Sequence, residues 1–405
     1  MPANSAIVEG SFRKDCGRSL AVAVSGGVDS LCALVLAKQA GFEVLALHAL
    51  FCREATDPEE TTILKGLAEN CARLGVPLEV VDLRTQFQTH VTRPFADAYL
   101  AGLTPNPCVA CNQTMKFGHL LDRALALGAT GMATGHYACL ATGPAPASEE
   151  HPLLAQATDR SKDQSYFLSL VPQERLAKAC FPLQAATKQE AARMVQEAGL
   201  AVPAPKESQD ICFIPRQPER YRELLRSLRA EAGLGTAKGR DGASDSERDG
   251  TAVRLDDAGD IVLRTLGLTR RLGTHQGLWR YTEGQRQGLG IAWSEPLYVT
   301  GKDVGSNILY VGTKQDAVMH GVFVRDLNLM VAEAELPNKA MVRLRYRQQP
   351  ASATLALEQA EGEHGTLRLR LQLDAPSTLS APGQTACVYS ETGLVLAGGV
   401  IEQVF

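Results

Sequence analysis

Hydrophobic and polar positions follow two different rhythms along the chain. In its first half, short apolar runs alternate with longer stretches of helical period. This alternation predicts an α/β fold with a parallel sheet covered by helices. Beyond residue 251 the apolar runs are short and are separated by turn residues. That spacing predicts a small β domain followed by a C-terminal β-barrel.

The predicted elements follow from these rhythms. The first half should contain strands at 20–24, 44–50 and 78–81, helices at 31–39, 61–74, 117–127 and 187–198, and a turn entered at 131–134. The second half should contain strands at 253–255, 261–263, 297–299, 308–311, 341–346, 353–357, 367–373, 386–389 and 394–401. Thr187 and Glu190 have the spacing of a helix capping box. Residues 229–251, rich in Gly, Ala, Asp, Ser and Arg, should form a mobile loop.

Length and composition then set the broad class. A chain of 405 residues is too long for one ordinary core, and we predict three domains at 1–215, 216–300 and 301–405. A composition of 45% hydrophobic and 21% charged residues excludes a disordered chain. No apolar run approaches the roughly eighteen residues of a membrane span, and the N-terminus lacks the pattern of a secretory signal. We therefore expect a cytoplasmic protein, without a membrane partner, whose ten cysteines are reduced.

The overall charge does not indicate nucleic-acid binding. The net charge is −4 at pH 7 and the isoelectric point is about 6.1. A basic RNA-binding surface would therefore have to be local. Arg343, Arg345 and Arg347 alternate along the strand predicted at 341–346, a pattern more typical of a solvated strand face than of an RNA site.

The first chemical motif is SGGVDS at residues 25–30, between a predicted strand and a predicted helix. Glycines let the backbone approach phosphate oxygens closely, and the N–H groups of the turn and of the helix start point at the anion. Ser25 and Ser30 add hydroxyl donors, while Asp29 is placed to hold Mg²⁺ on a polyphosphate. The loop lacks the Lys-Ser/Thr ending of a Walker A motif, so it does not predict transfer of a γ-phosphate.

Two cysteine-containing segments form the second chemical feature. TPNPCVACN at 104–112 carries two prolines that favour an extended loop, and Cys111 falls near the start of the next helix, where the dipole stabilises a thiolate. SQDICFI at 208–214 places Cys212 in a polar-to-apolar turn. Five other cysteines are interpreted as small buried hydrophobic residues: Cys32, Cys71, Cys139, Cys180 and Cys387.

These motifs carry a family resemblance. SGGVDS resembles the signature of the PP-loop ATP pyrophosphatases, which cleave ATP between its α- and β-phosphates. The two cysteine segments resemble those of the tRNA-specific 2-thiouridylase family, which forms 2-thiouridine at the anticodon wobble position. The similarity covers nearly the whole chain and includes ATGHY at 133–137, KDQSYF at 162–167, GTH at 273–275, YTEGQR at 281–286, GLGI at 288–291, GKD at 301–303, RYRQ at 345–348 and PGQ at 382–384. The three domains would then be a PP-loop catalytic domain, a central β-rich domain and a C-terminal β-barrel.

The resemblance also implies roles for individual residues. Cys212 resembles the persulfide cysteine, and Cys111 resembles its partner thiol. ATP with Mg²⁺ would be bound by Ala23, Val24, Ser25, Gly26, Gly27, Val28, Asp29, Ser30, Ala49 and Gly135. The tRNA would be met by Asn106, Pro107, Cys108, His136, Lys162, Asp163, Gln164, Arg345, Tyr346 and Gln384, of which the first three lie in the loop beside the target base.

The chain departs from the family pattern at three places. Cys108 stands where members commonly carry Asp, Ala49 stands where they usually carry Met, and residues 51–54 (FCRE) also differ. The first departure opens an alternative to persulfide chemistry, because Cys108, Cys111 and Cys212 are enough to hold a [4Fe–4S] cluster with one open iron.

The resemblance implies that ATP activates the uridine O2 as an adenylate and that sulfur then replaces this oxygen. Sulfur would come from a cysteine desulfurase or a sulfur-relay protein. An amidating PP-loop synthetase for a small metabolite is a weaker alternative, because ammonia-channel or glutaminase features are missing. A non-enzymatic RNA-binding protein is weaker still, because it would have no use for Asp29 or the paired cysteines.

Overall fold

The structure is a computed structural model that describes residue 12 and residues 17–141, 151–204, 211–214, 257–360 and 367–405. The loop predicted at 229–251 and the strand predicted at 253–255 lie outside these ranges. Among the described residues, no helix is long and apolar enough to cross a lipid bilayer.

The first unit is built on the parallel sheet that the sequence predicts. Its five strands lie in the order β3-β2-β1-β4-β7 and all pair in parallel. Their bounds are Ser19–Ala23 (β1), Glu43–Leu50 (β2), Leu78–Asp82 (β3), Gly131–Ala133 (β4) and Ala179–Cys180 (β7). A separate antiparallel pair is formed by Ala138–Ala141 (β5) and Leu153–Gln156 (β6). β1 lies in the middle of the sheet with Leu20, Ala21 and Val22 fully buried. Its carboxyl end therefore lies at the centre of the edge at which the strands' carboxyl ends meet.

Helices cover this sheet. Their bounds are Val28–Gln39 (α1), Pro58–Leu74 (α2), Arg84–Phe87 (α3), Arg93–Leu100 (α4), Pro107–Ala110 (α5), Leu121–Ala126 (α6), Ser165–Leu168 (α7), Gln173–Leu176 (α8) and Lys188–Glu197 (α9). Gln88–Thr92 and Cys111–Leu120 are π-helical, and the predicted helix at 117–127 is thus the end of a longer helical segment. The Thr187–Glu190 capping box is present as predicted.

The prediction of a turn entered at 131–134 was wrong. Gly131–Ala133 is a buried strand between β1 and β7. Its sequence is short and made of small residues, as in a turn, but the glycine is there for lack of space. A Cβ on Gly131 would stand 2.7 Å from the carbonyl oxygen of Lys178. The neighbouring backbone thus approaches too closely for any side chain.

The second unit is a four-stranded sheet in the order β10-β11-β8-β9. Its bounds are Gly259–Thr265 (β8), Leu268–His275 (β9), Tyr298–Asp303 (β10) and Ile308–Gly312 (β11), with a 3₁₀ turn at Leu278–Arg280. Because this sheet continues past residue 300, we propose that the boundary between the second and third domains lies after Gly312.

A buried ion pair stabilises the second unit. Lys302 Nζ lies 3.4 Å from Glu283 Oε2, and the two side chains are only 3% and 10% exposed. Lys302 also donates a hydrogen bond to the carbonyl oxygen of Tyr281 at 3.2 Å. Burial raises the pKa of Glu283, and the nearby Lys302 lowers it. Removing the lysine would therefore leave a buried carboxylate without its compensating charge.

We expect Lys302→Met to destabilise the second unit by about 3–5 kcal/mol. The control is Lys339→Met, which breaks the exposed pair with Asp374 and should cost less than about 1 kcal/mol. Both tryptophans of the chain, Trp279 and Trp293, lie in this unit, so tryptophan fluorescence during chemical denaturation reports on it. Equal midpoints for the two variants would contradict the assignment of the pair as buried and stabilising.

The C-terminal barrel is closed, in the order β12-β15-β14-β13-β16-β17. Its bounds are Val318–Leu329 (β12), Lys339–Arg343 (β13), Ala351–Gln359 (β14), Leu367–Thr378 (β15), Thr385–Tyr389 (β16) and Val395–Val404 (β17), with a 3₁₀ turn at Glu333–Glu335. The strand predicted at 341–346 ends at Arg343, so the prediction of three arginines on one strand was wrong. Arg345 lies in the following bend, and Arg347 has φ of 64° in the left-handed region, which an extended strand cannot accommodate.

The barrel is anchored to the first unit by polar contacts. Tyr166 donates its hydroxyl hydrogen to the carbonyl oxygen of Thr385 at 2.8 Å, and Asn328 donates to the carbonyl oxygens of Ser169 and Val171. The backbone N–H of Thr104 donates to the carbonyl oxygen of Pro382 at 2.8 Å. The barrel thus holds one end of the loop that leads to Cys108.

Candidate functional site

The phosphate loop joins β1 to α1 at the carboxyl edge of the sheet. Gly26 has φ of 81°, which favours glycine. Ser30 Oγ accepts a hydrogen bond from the backbone N–H of Ser25 at 3.1 Å and donates to the carbonyl oxygen of Gly27 at 2.9 Å. Gly27 caps α1 and supplies no side-chain acceptor. The first N–H groups of α1 therefore face the loop with no side-chain cap, as an anion site requires.

The residues that flank this loop approach it mainly with their backbone atoms and not with their side chains. Gly135 follows β4, and a Cβ there would stand 2.7 Å from Asp29 C and from Ser30 N, so only glycine permits this approach. Val24 is buried and its N–H donates to the carbonyl oxygen of Leu47, while Ala23 ends β1 and Ala49 is the penultimate residue of β2. The loss of the usual Met at position 49 is consistent with a nucleotide contact made by backbone here.

The carboxylate of Asp29 is held by two side chains that sequence reasoning missed. Lys188 Nζ lies 2.8 and 2.6 Å from its two oxygens, and the Tyr137 hydroxyl donates to it at 2.8 Å. Lys188 is the first residue of α9, directly after the cap Thr187. The sequence signal that could have located Lys188 was the capping box, because it places Lys188 in the first turn of α9.

Three thiols interact electrostatically with Lys116, those of Cys108, Cys111 and Cys212, and the Cys52 thiol interacts with Cys212 and Cys111. Cys111 is buried at the start of the π-helix, Cys108 is half-buried, and Cys212 and Cys52 are exposed. The Lys116 ammonium lowers the pKa values of Cys108, Cys111 and Cys212, although burial dominates for the first two and raises them, that of Cys111 to about 12. All four are free thiols. Cys52 is the member that sequence reasoning did not assign, and its departure from the family pattern was the signal.

Cys52 and Cys212 hydrogen-bond to each other through their side chains. This bond lowers the pKa of Cys52, as does the Arg53 guanidinium. The same bond, followed by burial, raises the pKa of Cys212.

Lys116 also links the thiols to the phosphate loop. Its Nζ lies 3.3 Å from His136 Nε2. Burial and the Lys116 charge lower the pKa of His136 well below its usual value, so the ring is neutral. Since an ammonium only donates, His136 accepts at Nε2 and donates from Nδ1 to Thr134 Oγ1 at 2.8 Å. His136 adjoins Gly135, which packs on Asp29.

The thiols do not form a metal site in this arrangement. Within the described part of the chain, which includes Cys108, Cys111 and Cys212, no three Cys, His, Asp or Glu side chains are positioned to hold a metal ion. The donor set therefore does not fit the [4Fe–4S] alternative, although its residue types would suit one.

The residues expected to meet tRNA fall into two groups. Arg345 is exposed, Tyr346 packs on Phe167 with ring centroids 4.3 Å apart, and Lys162 is half-buried. The second group makes contacts within the protein. Asn106 accepts a hydrogen bond from the N–H of Val109, and Pro107 is buried. Gln164 accepts from the N–H of Tyr137, and Gln384 donates to the carbonyl oxygen of Thr104.

Asp163 and His136 are the two buried charged or ionisable members of this set. The Asp163 side chain is fully buried, pairs with Arg343 at 3.0 Å and accepts from Ser165 and from the N–H of Ala157. His136 is 9% exposed and occupied on both ring nitrogens. Neither side chain faces outward in this structure, where each holds its neighbours, and contact of either residue with tRNA stays a prediction.

Comparisons with known proteins cover all three units of the chain. Family models match residues 18–216 (tRNA methyl transferase HUP domain), 255–313 (tRNA methyl transferase PRC-barrel domain) and 319–401 (Aminomethyltransferase beta-barrel domain). The chain is 43% identical to a tRNA-specific 2-thiouridylase MnmA of Nitratidesulfovibrio vulgaris, covering 95% of this chain and 98% of that protein. It is 44% identical to the MnmA of Oleidesulfovibrio alaskensis over 95% and 99% of the two chains. The MnmA of Syntrophotalea carbinolica is 36% identical over 96% and 99%.

Proposed function

Because the chain belongs to the tRNA-specific 2-thiouridylase family, we propose that it replaces the 2-oxygen of the tRNA wobble uridine with sulfur carried as a persulfide on Cys212. The enzyme is an ATP-dependent tRNA sulfurtransferase. Its substrates are ATP and a tRNA uridine. The route that sulfur takes and the residues that handle it are the proposal.

One observation carries this proposal: the phosphate loop and the thiols belong to one site. Asp29 packs on Gly135, and the next residue, His136, contacts Lys116. The positive charge of Lys116 in turn lowers the pKa values of the Cys111 and Cys212 thiols. An adenylated base at the loop would thus lie near the sulfur carrier. An enzyme that only activates its substrate would have no use for this arrangement.

In the activation step, the turn and the first N–H groups of α1 bind the phosphates of ATP. Asp29 would hold Mg²⁺, which takes oxygen ligands and would neutralise phosphate charge when bound. Lys188 and Tyr137 orient the Asp29 carboxylate. The uridine O2 displaces pyrophosphate from the α-phosphorus, which turns that oxygen into part of a good leaving group, AMP.

In the transfer step, the terminal sulfur of the Cys212 persulfide attacks C2 of the base, and AMP departs with the oxygen. The family resemblance assigns Cys111 as the thiol that then breaks the sulfur–sulfur bond. An external donor, a desulfurase or relay protein, must recharge Cys212, and the exposure of this thiol permits such access. No step passes through an iron–sulfur cluster, because the described thiols do not fit one.

The test is to supply the full-length enzyme with unmodified tRNA, ATP and Mg²⁺, after loading its thiols with inorganic polysulfide. We expect pyrophosphate release that depends on tRNA, and 2-thiouridine in the nuclease digest by mass spectrometry. Pyrophosphate release stimulated by a small metabolite instead of tRNA would favour the amidating synthetase. Release of neither product would leave an RNA-binding protein.

Arg345 tests the RNA surface. We expect Arg345→Ala to weaken tRNA binding and to reduce the slope of log affinity against log salt by about one unit, the loss of one phosphate contact. Arg370→Ala is the control, since Arg370 lies on another barrel strand and stacks over Phe405. Binding is measured by filter retention across a salt series. An unchanged slope for Arg345→Ala would make Arg345 an ordinary solvated residue.

A further inference from the structure

A buried pair of side chains, His48 and Glu60, lies between α2 and the phosphate loop. Nε2 of His48, on β2, lies 2.6 Å from Oε1 of Glu60, which is in the first turn of α2. The two side chains are only 7% and 9% exposed. The other ring nitrogen, Nδ1, lies 2.8 Å from the carbonyl oxygen of Val24. The pair thus joins α2 to the residue that connects β1 with the loop.

The direction of these hydrogen bonds follows from the chemistry of the groups. A carbonyl oxygen can only accept, so Nδ1 of His48 carries a hydrogen and donates it to Val24. Nε2 then shares a hydrogen with the carboxyl group of Glu60. Because both side chains are shielded from water, losing either would leave a buried polar group without its partner. The Val24 carbonyl is therefore held in one direction.

Holding this carbonyl also sets the first backbone donor of the SGGVDS motif. In a planar trans peptide, the C=O and the N–H that follows it point in opposite directions. The Val24 oxygen is turned toward His48, so the N–H of Ser25 points the other way. This N–H donates to Ser30 Oγ at 3.1 Å, and Ser30 donates to the carbonyl oxygen of Gly27 at 2.9 Å. The hydrogen bonds that begin at the buried pair thus reach the start of α1.

The helix that carries Glu60 also touches the loop directly. A Cβ on Gly26 would stand 3.1 Å from Cγ2 of Ile63, which lies about one turn beyond Glu60 on α2. α2 therefore supports the phosphate loop through one apolar contact and through the buried polar pair.

We propose that His48 and Glu60 are positioning residues of the ATP site, which hold the phosphate loop in the conformation that binds the phosphates of ATP. This inference rests on the proposed function, in which that loop binds ATP. The two residues act through the peptide that joins Val24 to Ser25 and do not touch the nucleotide themselves. The donors of the loop are then aligned before ATP arrives, so that binding requires less ordering of the protein.

The test compares variants of the full-length enzyme in a Glu60→Gln background, so that no variant leaves a carboxylate buried without its partner. The amide of Glu60→Gln can donate to Nε2 of a neutral His48 ring. This parent variant should therefore keep the KM for ATP within about twofold of wild type. KM is measured from the initial rate of tRNA-dependent pyrophosphate release across a series of ATP concentrations.

Two substitutions of His48 in that background separate the role of its N–H donor from that of its bulk. His48→Ala removes the donor to Val24. We expect the KM for ATP to rise at least about tenfold and kcat to fall less than about threefold, because phosphate contacts are lost in the ground and transition states alike. His48→Asn keeps a side-chain N–H close to where Nδ1 stands, and it should return KM to within about threefold of wild type.

The control is His275→Ala in the same background. His275 is also fully buried with both ring nitrogens hydrogen-bonded, but it lies in the second unit, so its loss should leave the KM for ATP unchanged. A role of His48 in folding alone would lower the stability of both His48 variants without separating their KM values. Equal KM values for His48→Ala and His48→Asn, or for His48→Ala and its parent, would therefore overturn the inference. Wild-type enzyme that releases no pyrophosphate with tRNA and ATP would instead overturn the proposed function.

Discussion

Replacing Asp29 with alanine should reduce tRNA-dependent pyrophosphate release by at least about a thousandfold, the scale of losing a preorganised electrostatic group at a reacting phosphate. The variant would lose the oxygen ligands that we propose for Mg²⁺, and it leaves Lys188 and Tyr137 without the carboxylate that they hold. The phosphate loop backbone, the barrel and Arg345 are unchanged, so tRNA affinity by filter retention should stay within about twofold.

The matched control is Asp82→Ala. Asp82 also ends a sheet strand, but its carboxylate is exposed and bonds to Arg84. It should retain full pyrophosphate release. Near-normal release by Asp29→Ala would remove Asp29 from the activation step, and a parallel loss of tRNA affinity would show that the substitution had damaged the fold instead.

The first unit was largely predictable because its elements are encoded locally. The run at 20–24 is apolar throughout, as a strand buried on both faces requires, and Gly75 ends α2 with φ of 61°. Motif SGGVDS fixed the position of the anion site for the same reason, since a strand, a glycine turn and a helix start are all visible in one short segment.

One strand of the barrel, β12, and one strand of the four-stranded sheet, β9, could not be predicted from hydrophobic periodicity. β12 carries Arg325, Asp326 and Asn328 in its second half, and its pairing shifts register at two places where it meets β17. Asp326 even has φ of 52°. In β9, residues 268–271 are all exposed, so the strand has no apolar face there. Hydrogen bonds from neighbouring strands hold these segments in place. Such pairing leaves no alternation of apolar and polar residues in the sequence.

The contacts within the site were also beyond sequence reasoning. Lys188 reaches Asp29 across 159 positions of the chain. Phe51 and Phe213 are far apart in sequence, yet both pack on the buried ring of Phe87. The motifs identify the reacting groups, but their partners are set by packing between elements that are distant in sequence.

Replacing Cys212 with serine should separate the two half-reactions. Serine keeps the size and hydrogen-bonding capacity of the side chain but cannot carry a persulfide. The phosphate loop is untouched, so tRNA-dependent pyrophosphate release should stay within about threefold of wild type, with the adenylated base lost to hydrolysis. Formation of 2-thiouridine should fall by at least about a thousandfold, because the proposed carrier of the sulfur is missing.

Both products are measured in the same reaction, pyrophosphate by a coupled assay and 2-thiouridine by mass spectrometry of the digested tRNA. Cys139→Ser serves as the control for loss of a thiol, since that thiol bonds to Gln184, and it should match wild type in both. If Cys212→Ser made 2-thiouridine at more than about a tenth of the wild-type rate, sulfur would have to be carried by another thiol. Cys52 would then be the first to consider, since its thiol is exposed. Loss of both products would instead place Cys212 in the binding of tRNA or ATP, because activation does not require a persulfide.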